Sequence, residues 1–376
     1  AFIYAELAER RPHTGGQYAY LRDAYHPSVA FVYGWALLLV IQTGGMAAVA
    51  VTFARYFIEL TQLSISDWVL AIIALAALTV INCFGVRAGS TVQNVLMILK
   101  IAAIVMLVVC GFVLANPSGA ASAAILDRPV SIDLVTAMGA ALIPVMFAYG
   151  GWQTSCFVAG ELRDPKRDLP RGLLIGVLGV ILLYLAVNFV CIYVLGAEGL
   201  MQTKTPASEV MRLVLGPTGA KIIAVGITIS TLGFLSQSIL TAPRVYFAMA
   251  EDRSFFRQVA WLHPKTLVPV VAIALQGACA MIIAASGRYE QILNYVVSVD
   301  FIFFGLSATC VFIFRRRDLQ TTRFKIPLHP VSTIFFIAAC IFVVANTLYR
   351  YPENSVIGLA IMLVGIPIYF LWKRGK

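Results

Sequence analysis

Few side chains in this sequence could do chemistry, and those that could stand in apolar surroundings. Lys100 lies in Val95-Leu96-Met97-Ile98-Leu99-Lys100-Ile101-Ala102, too far from either end of the stretch to snorkel easily. Its ammonium could replace a bound cation or carry a proton; the alternative is a structural lysine on helix-end carbonyls. Asp300, in Val297-Ser298-Val299-Asp300-Phe301, could bind a cationic group or be a hydrogen-bonded structural acid. Glu6 and Arg244 stand near the ends of apolar stretches. Paired, they would form an inner gate; unpaired, they are two interfacial charges. The seven cysteines form no CxxC pair, and the four histidines show no HExxH spacing. Neither a disulfide framework, a metal centre nor a cofactor is indicated. Phosphate loops and catalytic triads are also missing, which argues against an enzyme.

The remaining chemistry belongs to the backbone. Phe147-Ala148-Tyr149-Gly150-Gly151-Trp152 interrupts an apolar segment running from about 131 to 160, which also carries Pro144. Proline removes a backbone donor and glycine weakens helix propagation. In lipid the freed carbonyls and amides must find partners or line a cavity. A broken span marks a candidate binding site at the membrane midplane; an ordinary kink is the alternative. Gly44-Gly45 is a small-residue patch that either packs helices closely or leaves room for a ligand.

The elements that position these residues follow from composition. The 376 residues are 60% hydrophobic and 12% charged, half the charge of a soluble domain, so this is an integral membrane protein. After a short apolar start at 1–8, ten stretches of spanning length are predicted: 28–58, 66–84, 90–115, 131–160, 171–196, 217–250, 268–286, 290–314, 328–349 and 354–372. Nineteen of the 28 Lys and Arg residues fall in one alternating set of loops plus the C-terminus, and six in the other. That asymmetry predicts a cytoplasmic C-terminus, and the expected location is the plasma (inner) membrane. The net charge of +10 therefore reflects orientation rather than nucleic-acid binding. The outer connections 116–130 and 197–216 are predicted loops, and the chain reads as one membrane domain.

Several stretches together resemble the amino acid–polyamine–organocation superfamily of permeases, nearest the L-type amino acid transporter-like branch. Tyr4-Ala5-Glu6-Leu7 with Gly15-Gly16-Gln17-Tyr18 is similar to that family's second helix and first cytoplasmic loop. Phe147 to Trp152, with Asp164-Pro165 and Leu169-Pro170-Arg171 beyond, is similar to its sixth helix and the following loop. Asn94 to Ile101, Ser230 to Arg244 with His263-Pro264, and Gly365 to Phe370 are similar to its fifth, eighth and last helices. The resemblance implies an all-α inverted-repeat (5+5) fold with two extra C-terminal helices. About eleven helices would be present, from the tail of helix two through helix twelve. It also implies an N-terminally truncated permease domain over 1–376, with the first helix upstream of Ala1.

The same resemblance implies secondary active transport of amino acids by alternating access. The carbonyls of Phe147, Ala148 and Gly150 would take the substrate ammonium, with Tyr149, Gly151 and Trp152 completing the turn. Phe147 would gate the site and Trp152 would support it. Gly44, Gly45, Ser298 and Phe301 would shape the side-chain pocket. Backbone amides of the first helix would receive the carboxylate. Lys100 would stand where sodium-coupled relatives hold their ion, implying sodium independence. Proton coupling, to which Asp300 is suited, and amino acid exchange both stay open, as does oligomeric state. The partners implied are an amino acid or related amine and membrane lipid. Two departures stand out: Ala242-Pro243 precedes Arg244 where the branch usually has Ser before the Arg, and Asp300 replaces a neutral polar residue. The rivals are a polyamine or cationic amine permease and a non-transporting amino acid sensor.

Overall fold

The computed structural model describes residues 1–84, 90–115, 131–286, 289–318 and 322–374. The predicted loop 116–130 lies outside them. Among the described residues the regular structure is entirely helical. The elements are α1 Phe2–Arg10, α2 Gln17–Ala24, α3 Pro27–Ala36, α4 Gln42–Thr61, α5 Asp67–Cys83, α6 Ser90–Leu114 and α7 Ile132–Ala148. Then come α8 Pro165–Gln202, α9 Pro206–Thr241, α10 Pro243–Glu251, α11 Val270–Ala285, α12 Tyr289–Arg317, α13 Val331–Arg350 and α14 Pro352–Arg374.

Local chemistry starts these helices where it should. Pro165, Pro206 and Pro243 stand in the first turns of α8, α9 and α10, where a missing N–H costs nothing. The Ser131 hydroxyl caps α7 by accepting from Leu134 N at 3.1 Å. His26 caps α3, accepting from Ser28 N through its ring nitrogen.

Each of the ten predicted stretches is occupied by helix. Seven helical units are long and apolar enough to cross a membrane, and an eighth is the bent pair Ile132–Ala148 and Trp152–Ala159. The other two, α5 and α11, are apolar helices of 17 and 16 residues. Helices α3 and α4 form one span, Pro27–Thr61, through a π-helical stretch at Leu37–Ile41. One expectation needs correcting. The 197–216 connection is largely helical, because α8 continues past Gly196 (φ +67°) and α9 begins at Pro206 and turns at Gly216 (φ +69°). Both glycines adopt the left-handed region, which lets a helix change direction in one residue.

Helix α4 packs against α5, α9, α11 and α12, while α12 also meets α1, α7, α13 and α14. The large central core joins these elements around Tyr4, Phe31, Tyr33, Phe157, Tyr246 and Phe303. The outward side of α8 exposes Ile175, Leu178, Leu182, Leu185 and Phe189, an apolar face suited to lipid. At one end, the turn after α1 lies beneath the broken segment. Gly15 N donates to Phe157 O at 3.1 Å. A Cβ on Gly16 would sit 2.8 Å from the Cys156 backbone carbon.

Candidate substrate site at the broken helix

Helix α7 ends where Gly150-Gly151 removes both side-chain constraint and helix propensity. Tyr149 N donates to Val145 O (3.0 Å) and Gly150 N to Phe147 O (2.9 Å). Gly151 then turns left-handed (φ +94°), and its N–H is taken by Gln153 Oε1 at 3.0 Å. A tight helical segment, Trp152–Glu161, continues at 41° to α7. Its first turn is pinned by Thr154, whose N–H and hydroxyl both donate to Gly151 O, at 3.1 and 2.7 Å. The Ala148 carbonyl, left without its intrahelical partner, accepts the Tyr184 hydroxyl of α8 at 2.9 Å. Trp152 is wedged against Tyr4 (ring centroids 4.6 Å) and Phe304 (5.6 Å), so the turn rests on α1 and α12.

Two cavities meet at this turn. The larger, about 730 Å³, is lined by Ala148 to Trp152, Ser155, Asp168, Tyr184, Gln237 and Thr241 among others. The smaller, about 330 Å³, is lined by Gln42, Gly45, Phe147, Gln153, Phe234, Ser238, Val296, Val297, Asp300 and Phe301 among others. Ala148, Gly150, Gly151, Thr154 and Tyr184 border both. Volumes of a few hundred Å³ suit a small organic ligand.

The predicted residues separate under this geometry. Phe147 to Trp152, Gly45, Asp300 and Phe301 all border one cavity or the other. Phe147 and Phe301 pack against the buried cluster of Ile143, Val297 and Val343, an apolar contact among α7, α12 and α13. Gly44 does not face the cavity: a Cβ there would meet Val296 Cγ2 at 2.4 Å, so Gly44 is where α4 and α12 touch. A Cβ on Gly45 meets nothing within 4 Å. Ser298 is fully buried and donates back to Tyr295 O at 3.1 Å. Lys100 is half-buried on α6, lines neither cavity, and has no ion-pair partner among the described residues. The sequence reading missed Tyr184, Gln153, Thr154 and Phe234. The signal available was the polar-tipped pair Tyr184 and Asn188, one helical turn apart in a largely apolar span.

The Glu6–Arg244 pairing is replaced by another. Glu6 is fully buried, and its carboxylate accepts from Arg10 (Nε 3.0 Å, Nη2 2.9 Å), Arg315 (Nε 2.8 Å, Nη2 2.6 Å) and Ile326 N (3.1 Å). The Arg244 guanidinium donates to Leu240 O at 2.7 Å. From Glu6 a chain of alternating charge crosses the basic end of the molecule. Arg10 approaches Asp318 at 3.8 Å, Arg11 bridges Asp318 (3.0 Å) and Asp23 (3.4 Å), and Arg22 bridges Asp23 (3.0 Å) and Asp252 (2.7 Å). Burial disfavours the Arg22 charge, yet hydrogen bonds to Asp252 and Asp23 hold its pKa above the usual value. Burial and the Asp252 charge push the neighbouring Tyr18 phenol up as well. This chain ties α1, α2, α10 and α12 together below the broken turn. Among the described residues no cluster of His, Cys, Asp and Glu could hold a metal ion.

Comparison with known proteins agrees with this geometry. The chain is 30% identical to the serine/threonine exchanger SteT of Bacillus subtilis over 99% of its own length and 85% of the exchanger's. It is 28% identical to the human large neutral amino acids transporter small subunit 2, over 99% of this chain and 70% of that one. It is 26% identical to the human cystine/glutamate transporter, over 99% and 75%. The model of the amino acid permease family matches residues 1–372. A multi-pass helical membrane protein with cavities at a broken span, matched over nearly its whole length, this chain belongs to the amino acid permease family and is an amino acid transporter rather than an enzyme.

Proposed function

We propose that this protein carries amino acids across the plasma membrane by alternating access, with the turn at 147–152 holding the substrate α-ammonium. The observation that carries the reading is the junction of two cavities at the carbonyls of the broken turn. Unwound carbonyls attract ammonium groups, and a broken helix is a natural pivot between two exposures of one site. Phe147 stands between turn and pocket as the gate. The smaller cavity is walled by Ile41, Val296, Val297, Phe234 and Phe301, which favours neutral side chains. The names of the relatives SteT and the large neutral amino acids transporter small subunit 2 point the same way.

Among the described residues Asp300 is the one acidic side chain lining the smaller cavity, and it is the candidate proton carrier. Lys100 lines neither cavity, and its proposed part, carried by the family resemblance alone, is to stand in for a bound sodium ion and make transport sodium-independent. The distribution of basic residues supports a cytoplasmic C-terminus.

The test is uptake of labelled serine by the full-length protein in proteoliposomes, with and without a sodium gradient. Saturable uptake indifferent to sodium is expected. Binding of serine without flux would mark a sensor instead, and uptake of polyamines in preference to serine would mark an amine permease. A pH gradient should drive uptake in the wild type and fail to drive it in Asp300→Asn if Asp300 carries the proton.

A further inference from the structure

Helix α8 has two opposite faces. Leu173, Val180 and Tyr184 line the larger cavity, and Val190, Cys191 and Val194 are packed further along the same side. On the other side Ile175, Leu178, Leu182 and Leu185 are 60–73% exposed, and the apolar stripe continues to Ile192. At about 100° per residue, Arg167 and Arg171 fall on that outward stripe, within an arc of about 80° that also holds Ile175 to Leu185 of the stripe. The apolar part has the length of a bilayer core. From Ile175 to Ile192 a helix rises about 26 Å, close to the roughly 30 Å of hydrocarbon. Arg171 lies one turn before that stretch and Arg167 one turn before Arg171, at the level of lipid headgroups.

The charge on these two side chains is left open. Both are exposed, and neither has a carboxylate within 4.0 Å among the described side chains. The arginines of the ion-pair chain differ, since Arg10, Arg11, Arg22 and Arg315 each hold one. Two described acids stand at the start of α8, and neither answers the pair. Asp168 is on the cavity side. Asp164 precedes the first turn, where its backbone carbonyl accepts from Arg167 N (3.1 Å) and Asp168 N (2.9 Å). The dipole of α8 adds positive potential at the same end.

Two guanidinium forks one helical turn apart, about 6 Å, suit the phosphate oxygens of a phospholipid headgroup. The acyl chains of a lipid so held would lie along Ile175, Leu178 and Leu182. A zwitterionic headgroup brings a cation of its own, which the two arginines repel, and an anionic headgroup does not. We propose that Arg167 and Arg171, at the end of the lipid-facing stripe of α8, form a binding site for an anionic glycerophospholipid such as phosphatidylglycerol. The site is separate from both cavities and does not depend on which substrate is carried. Only residues 162–164 separate α8 from the tight helical segment Trp152–Glu161, so the lipid anchors the element that follows the broken turn at a fixed depth.

The experiment places the full-length protein in phosphatidylcholine nanodiscs doped with a photoactivatable phosphatidylglycerol, or with the same photoprobe on phosphatidylcholine, and quantifies cross-linking to peptides covering 163–182. The wild type should prefer phosphatidylglycerol by about twenty-five-fold, at about fivefold for each basic residue near the surface. Arg167→Gln should lower that preference about fivefold, and Arg167→Gln with Arg171→Gln should abolish it. Lys166→Gln removes the same charge from the same turn, about 100° off the stripe, and should keep the preference to within about twofold. Equal cross-linking by the two probes in the wild type overturns the proposal. So do equal losses in Lys166→Gln and Arg167→Gln, which would mark a diffuse surface charge. Displacement of the probe by excess soluble glycerophosphoglycerol would also overturn it, in favour of a pocket for free phosphodiesters. Should the arginine variants fail to fold, the wild type decides: its preference should fall steeply between about 0.05 M and about 0.5 M NaCl, and a preference indifferent to salt would refute the site.

Discussion

Replacing Glu6 by Gln isolates the ion pair that closes the basic end of the protein. Five hydrogen bonds converge on this fully buried carboxylate, two from Arg315, two from Arg10 and one from Ile326 N–H. Arg10 is nearly buried and Arg315 is about a quarter exposed, so water cannot fully replace the lost acceptor at either. Breaking a buried pair by neutralising one partner costs about 3–5 kcal/mol, and the amide's remaining oxygen places Glu6→Gln at the lower end, about 3 kcal/mol. A double-mutant cycle with Arg315→Met should return a coupling of about 2 kcal/mol, within the usual range for residues sharing one network. The parallel cycle with Arg244→Met should be additive to within about 0.5 kcal/mol. Reversible unfolding of the purified protein in mixed micelles, titrated with SDS, supplies the free energies. A coupling to Arg315 below about 0.5 kcal/mol, or a larger one to Arg244, would refute the assignment of the pair.

Three glycines give further tests by the same unfolding assay and by uptake. Gly44→Ala, whose Cβ would meet Val296 Cγ2 at 2.4 Å, should destabilise by about 1–3 kcal/mol through overpacking. Gly45→Ala, with open space around its Cβ, should leave stability unchanged and alter only KM, because the new methyl enters the smaller cavity. Gly16→Ala combines a positive φ (+48°) with a backbone contact at 2.8 Å, so a loss above about 2 kcal/mol is expected, together with loss of uptake. Wild-type stability in Gly16→Ala would show that the turn does not press on the broken segment.

Much of the site is legible in the order of the residues. Gly150-Gly151 break a helix because of their own backbone freedom, so the interruption at 147–152 belongs to the local sequence, as do the ten apolar stretches and the lopsided arginines. Pairings between distant residues are not legible in this way. Glu6 and Arg315 are 309 positions apart, and nothing local distinguishes Arg315 from Arg316, Arg317 or Arg244 as the partner. Gly44 and Gly45 look identical in sequence, yet one step around a helix turns a packing contact into a cavity wall. Tyr184 reads as one more apolar-helix aromatic until α8 lies beside the end of α7.

The sequence by itself thus determined a multi-pass helical membrane protein, its family and the place where its span breaks. Hydropathy, helix propensity and backbone strain are properties of residues and near neighbours. Tertiary structure alone decided which carbonyl meets which hydroxyl, which glycine faces the ligand space and which arginine neutralises Glu6. Those outcomes depend on the rotation and depth of helices packed against one another, which only the completed core sets.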